Sequence, residues 1–123
     1  MMNDANKVKP RILLVDDEER ILRTLTMLLK MQYQVFSTTD GNEALNILKQ
    51  EKIHVLISDQ RMPLMAGTEL LRQAKNISPQ TMRILLTGYA DVDAAVDSVN
   101  EGEIFRYINK PWGPKELRDT VAD

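Results

Sequence analysis

Apolar residues fall in short unbroken runs, and amphipathic stretches alternate with them along nearly the whole chain. Arg11-Ile12-Leu13-Leu14-Val15 is one such run, and it stops at Asp16-Asp17-Glu18-Glu19. Runs this short, with no polar alternation, fit strands buried on both faces of a parallel sheet. Ile21, Leu22, Leu25, Leu28 and Leu29 follow at helical spacing and predict a helix with one apolar face. Tyr33 to Thr38 is rich in aromatic and branched residues but less apolar, as an edge strand would be. Asp40-Gly41-Asn42 opens a second helix with Ala44, Leu45, Ile47 and Leu48. His54-Val55-Leu56-Ile57-Ser58-Asp59 is a third strand that ends in a carboxylate. Pro63 ends any strand there, and Gly67 permits a tight turn into a helix from Thr68 to Lys75, with Leu70, Leu71 and Ala74 inward and Ser78-Pro79 as its stop. Met82 to Thr87 is a fourth strand. Val92, Ala95, Val96 and Val99 mark a fourth helix, closed by Gly102. Ile104 to Asn109 is a fifth strand, Lys110-Pro111 a sharp turn, and Pro114 to Asp123 a final helix with Val121 facing the core.

Five strand-and-helix alternations favour an α/β fold, a parallel sheet with helices on both faces, doubly wound by right-handed crossovers. Ligands of such sheets bind beyond the carboxyl ends of the strands. That edge would carry Asp16, Asp17 and Glu18 after the first strand, Asp59 after the third, Thr87 after the fourth and Lys110 after the fifth. Two carboxylates about 4 Å apart repel by roughly 4 kcal/mol at an effective dielectric of 20, so the cluster calls for a cation or a proton. A donor set of oxygens alone suits Mg²⁺. The layout fits phosphoryl transfer, in which a metal and a lysine neutralise phosphoryl oxygens and a carboxylate stands in line as nucleophile.

Composition removes competing chemistries. With 123 residues, 43% of them apolar and 28% charged, the chain fits a flexible polar leader over 1–10 and one domain over 11–123. A net charge of -2 offers no basic footprint for nucleic acid. No apolar run is long enough to span a membrane, and the polar start lacks a signal-peptide core, which points to the cytoplasm. The absence of cysteine, with His54 the sole histidine, rules out thiol nucleophiles and Cys/His zinc sites. Nothing resembles a glycine-rich nucleotide loop.

Val15-Asp16-Asp17-Glu18, Ser58-Asp59-Gln60-Arg61-Met62-Pro63 with Gly67, Leu86-Thr87-Gly88 and Lys110-Pro111 together resemble the receiver domain of two-component response regulators. The match runs from about Arg11 to Val121, in the family's order and spacing. It implies a flavodoxin-like receiver fold, a five-stranded parallel sheet in the order 2-1-3-4-5 known for chemotaxis regulators. It also implies that Asp59 takes a phosphoryl group from a sensor histidine kinase or phosphotransfer protein. Asp17, Asp59 and the backbone carbonyl of Arg61 would bind Mg²⁺, with Asp16 acting mainly through a bound water. Lys110 would pair with one phosphoryl oxygen and Thr87 with another, letting the Tyr107 ring turn inward and remodel the surface of the fourth helix, fifth strand and fifth helix. A C-terminal output domain, or a second copy in a homodimer, would read that surface. The chain would then be the N-terminal module of a longer regulator, a phosphoacceptor rather than an enzyme.

Each residue alone has an ordinary explanation. Glu18 and Glu19 fit a solvated helix start, Asp59 a turn aspartate, Lys110 a surface lysine, and Tyr107 packing on its strand. Met62 and Met65 fit loop packing, and His54 a strand end remote from the chemistry. Joint placement at four strand ends is what favours the site. Arg61 and Tyr89 stand two residues beyond Asp59 and Thr87, positions that in the family tune phosphoryl lifetime, and their bulk is expected to lengthen it. Trp112, two residues past Lys110, is expected to report binding by its fluorescence. The enzyme alternative, a haloacid-dehalogenase-like phosphatase, places an acid two residues after its nucleophile, where this chain has Arg61. A docking-only receiver would have no use for Asp17, Asp59, Thr87 and Lys110. Further likeness around Gln60-Arg61-Met62-Pro63, Leu86-Thr87-Gly88-Tyr89-Ala90-Asp91 and Arg106-Tyr107 with Lys110-Pro111-Trp112 is to receivers fused to cyclic-di-GMP phosphodiesterase domains of the HD-GYP type or to transcription-regulating ATPase modules. Asp91, Asp93 and Asp97, with Glu101 and Glu103, make the fourth helix a poor DNA face.

Overall fold

A computed structural model describes residues 8–88, 106–109 and 112–122. Its elements are β1 (Arg11–Val15), α1 (Glu19–Leu29), β2 (Gln34–Thr38), α2 (Gly41–Gln50), β3 (Val55–Asp59), α3 (Gly67–Ile77), β4 (Met82–Thr87), β5 (Arg106–Asn109) and a C-terminal helix (Pro114–Ala122). The fourth helix expected around Val92 to Val99, with its Gly102 stop, lies outside the described residues, as do Ile104 and Phe105.

The five strands form one sheet in the order β2-β1-β3-β4-β5, every neighbouring pair parallel. β3 is central, and all five of its residues are buried. β2 is an edge, and its exposed and half-buried residues account for its weaker apolar signal.

Alternation along the strands sends side chains to two separate cores. Leu13, Val15, Leu56 and Leu85 pack with Ala44, Leu45 and Leu48 of α2 and Leu70, Leu71 and Ala74 of α3. Ile12, Leu14, Ile57, Ile84 and Leu86 pack on the other face with Leu22, Leu25 and Leu29 of α1 and Leu117 and Val121 of the C-terminal helix. Each fully buried Leu or Ile contributes about 1.5–3 kcal/mol by leaving water. Truncating Leu56 would cost more, because the cavity between two layers cannot collapse.

The far edge of the sheet is tied by backbone and polar groups. His54 Nδ1 accepts the Arg11 N–H at 2.9 Å, and its own N–H donates to the Arg11 carbonyl at 2.9 Å. His54 therefore clamps β1 to β3 at the amino-terminal end, remote from Asp59. Thr81 Oγ1 donates to the Ile53 carbonyl at 2.7 Å nearby.

Helix starts differ in how they are capped. Asp40 caps α2, accepting the Asn42 N–H at 2.8 Å. α3 starts at Gly67 and continues to Ile77, beyond the expected Thr68-to-Lys75 span at both ends. Its N-cap residue, Ala66, has no side chain able to cap. The preceding loop contains Leu64 at φ 71, a left-handed conformation that glycine adopts freely and leucine resists. Leu64 is fully exposed, so it gains no packing in return. Leu64→Gly is expected to stabilise the fold by about 0.5–1 kcal/mol. A urea unfolding midpoint unchanged or lowered by that substitution would contradict it.

Candidate functional site

The register explains why three acids meet. Val15 of β1 pairs with Ser58 of β3, so Asp16 and Asp59 each stand one residue beyond a matched pair on adjacent parallel strands. Matched positions on parallel neighbours direct their side chains to the same face. Asp59 is itself paired with Leu86 of β4, and Thr87 comes one residue later, paired with Asn109 of β5. The carboxyl ends of four strands are thereby brought to one edge.

Carboxylate oxygens of Asp16, Asp17 and Asp59 lie within 4.8 Å of one another. Asp16 and Asp59 are buried, whereas Asp17 is exposed. Asp16 Oδ1 accepts the Glu18 N–H at 2.9 Å, and the Asp16 N–H donates to the Thr38 carbonyl at 3.3 Å, which fixes the loop leading to α1. At this spacing each carboxylate pair repels by about 3–4 kcal/mol at an effective dielectric near 20, a tension that a divalent cation removes. Three oxygen donors with one open to water match the habit of Mg²⁺, which binds through a few carboxylates and keeps part of its water shell.

Thr87 is fully buried, and its hydroxyl donates to the Gly88 carbonyl at 3.1 Å. Arg61 is exposed in the loop after Asp59. Tyr107 is half-buried and packs against the α2/α3 core, from the edge strand β5. Trp112 is half-buried against the opposite core, beside α1 and the C-terminal helix. Met62 and Met65 pack on the α2/α3 core and anchor the loop, as expected of them. Lys110, Tyr89 and the acids at 91, 93, 97, 101 and 103 lie outside the described residues.

Gly67 acts differently from the turn residue that its place in the loop suggests. It has no left-handed backbone angle; it is needed for space. A Cβ there would overlap the carbonyl oxygen of Asp59 and come within 2.8 Å of Leu85 Cδ1 and 2.9 Å of the Asp59 carbonyl carbon. That same carbonyl accepts the Ser58 hydroxyl at 2.9 Å. α3 therefore begins against the backbone of the acid at the centre of the site.

Gln60 is a residue that pattern reading passes over. Its N–H donates to the Leu86 carbonyl at 3.0 Å, its carbonyl accepts the Gly67 N–H at 2.9 Å, and its side-chain Oε1 accepts the Thr68 N–H at 2.9 Å. It supplies the cap that Ala66 cannot. No spacing rule marks a glutamine that caps a helix seven residues ahead of it.

The family model for the response regulator receiver domain matches residues 12–122. The chain is 37% identical over 110 residues to the hydrogenase transcriptional regulatory protein HoxA of Cupriavidus necator, an alignment that takes in 89% of this chain and 23% of HoxA. It is 31% identical to the sporulation initiation phosphotransferase F of Bacillus subtilis, over 98% of this chain and 93% of that one. Its structure superposes with a TM-score of 0.86 and 38% identity on the signal receiver domain of an HD domain-containing protein from Pseudomonas fluorescens, covering 94% of this chain and 86% of that one. The chain belongs to the response regulator receiver domains, signalling modules of two-component systems that act as phosphoacceptors and bind Mg²⁺ at an acidic pocket. It spans about a quarter of the length of the HoxA relative. Among the described residues, no helix is long and apolar enough to cross a membrane.

Proposed function

We propose that the chain is a phosphoryl-accepting switch, and the convergence of Asp16, Asp17 and Asp59 within 4.8 Å is the observation that carries this reading. A carboxylate oxygen of Asp59 attacks the phosphorus of a phosphohistidine on a sensor histidine kinase or phosphotransfer protein. The P–N bond breaks, its electron pair leaves on the imidazole, and an aspartyl phosphate remains. Burial at a strand end holds Asp59 in place before the donor arrives, so little reorganisation is needed during transfer. Asp16, Asp17, Asp59 and the Arg61 carbonyl would hold Mg²⁺. When bound, the ion would neutralise phosphoryl oxygens and the repulsion among the acids. Lys110 pairs with one phosphoryl oxygen. The Thr87 hydroxyl exchanges its local bond to Gly88 for another.

Movement of Thr87 frees the space into which Tyr107 turns, and the surface of the fourth helix, β5 and the last helix changes with it. An output domain, or a second copy of the chain, reads that change. Control of transcription is one output, in keeping with the regulatory relatives, and cyclic-di-GMP hydrolysis by an HD-type domain is the other. The exposed Arg61, with Tyr89, is proposed to slow attack by water on the aspartyl phosphate. Arg61→Ala and Tyr89→Ala should therefore shorten its half-life severalfold, and an unchanged half-life in both variants would contradict the assignment.

Phosphoramidate and Mg²⁺ test the switch against the enzyme reading. The expected result is incorporation of a single phosphoryl group per chain, with no sustained turnover of a chromogenic phosphate ester. Steady ester hydrolysis would favour a haloacid-dehalogenase-like phosphatase. Failure to take up either a phosphoryl group or beryllofluoride would favour a docking-only receiver.

A further inference from the structure

We infer that Gln60 is a positioning residue for the metal site, acting through the loop it closes and not by touching the ion. The inference rests on the reading of the acid cluster and the Arg61 carbonyl as a Mg²⁺ site. Gln60 lies between Asp59 and Arg61, so its two neighbours supply proposed donors, a carboxylate and a backbone carbonyl, while Gln60 itself supplies restraint. Its N–H extends the β3–β4 pairing one residue past Asp59, and its carbonyl accepts from Gly67. Its Oε1 accepts the Thr68 N–H at 2.9 Å, and its Nε2 lies 3.4 Å from Thr68 Oγ1. A backbone N–H can only donate, so the side-chain atom facing it is the acceptor oxygen, which fixes the orientation of the amide.

The loop so closed is one that would not hold its shape unaided. Leu64 is in a left-handed conformation with its side chain in water, and Ala66 has no side chain of its own able to cap the start of α3. Strained backbone persists only where its surroundings over-determine it. Here the surroundings are the Gln60 contacts at the mouth of the loop and the Met62 and Met65 anchors at its middle. Removing the Gln60 side chain leaves the Thr68 N–H to water and frees the mouth, and the Arg61 carbonyl is the peptide next to that mouth. Groups that orient metal donors govern affinity without touching the ion, and the Gln60 side chain would do so through the loop, since its bonds go to Thr68.

Calorimetric titration of Mg²⁺ into the chain, Gln60→Ala and Gln60→Glu, well below their melting midpoints, tests the inference. Gln60→Ala should bind Mg²⁺ about tenfold more weakly. Gln60→Glu, which keeps an acceptor for the Thr68 N–H at a helix start, should bind at least as tightly as the unsubstituted chain. Equal affinity for Gln60→Ala and the unsubstituted chain would overturn the positioning role, whatever the variant's stability. An unsubstituted chain that takes up no Mg²⁺ would instead overturn the metal reading, and this inference with it.

Discussion

Gly67→Ala destabilises the fold by about 2–3 kcal/mol and disturbs the acid cluster at the same time. The new methyl group meets backbone, the Asp59 carbonyl, as well as Leu85. A flexible side chain could swing away; a carbonyl fixed in the central strand cannot. α3 must therefore back off from β3, which opens the core containing Leu70, Leu71 and Leu85 and draws the Gln60-to-Ala66 loop outward. Because the backbone angle at Gly67 is unexceptional, the whole cost is steric. Urea unfolding and Mg²⁺ titration of the same variant check it, and both should weaken. Unaltered stability would mean that α3 can shift without consequence.

Asp17→Asn has effects of opposite sign in the two states of the site. Without metal, it removes one of three mutually repelling carboxylates and should stabilise the protein, modestly because Asp17 is exposed and screened. With Mg²⁺ it removes the charged donor that is open to water, and affinity should fall at least tenfold, equivalent to about 1.4 kcal/mol. At a Mg²⁺ concentration ten times the dissociation constant of the unsubstituted chain, binding adds about 1.4 kcal/mol of stability. The variant at that concentration gains only about 0.4 kcal/mol or less. Thermal unfolding with and without Mg²⁺ gives both numbers. Equal stabilisation of the two proteins would show that Asp17 is no ligand.

The sheet was legible because parallel strands buried on both faces must be apolar throughout, as Ile12 to Val15 and Val55 to Ile57 are. The acids stood out because each followed such a run directly. β2 was legible as an edge from the polar residues its exposure permits. Packing at the mouth of the β3–α3 loop was not legible. Whether Gly67 serves a turn or a close approach depends on how near α3 comes to Asp59, and no local pattern encodes that distance. Gln60 was hidden for a related reason, since its partner Thr68 becomes a neighbour only after the loop has closed. The start of α3 at Gly67 follows from the same cap, which comes from outside the helix.

The proposed phosphorylation of Asp59, within the pocket formed with Asp16 and Asp17, is open to direct chemical test. Peptide mapping by mass spectrometry after reaction with phosphoramidate and Mg²⁺ tests it most directly. One phosphoryl group on Asp59 is expected, lost when Mg²⁺ is withheld and absent from Asp59→Asn. Phosphoryl on another side chain, or undiminished labelling of Asp59→Asn, would contradict it.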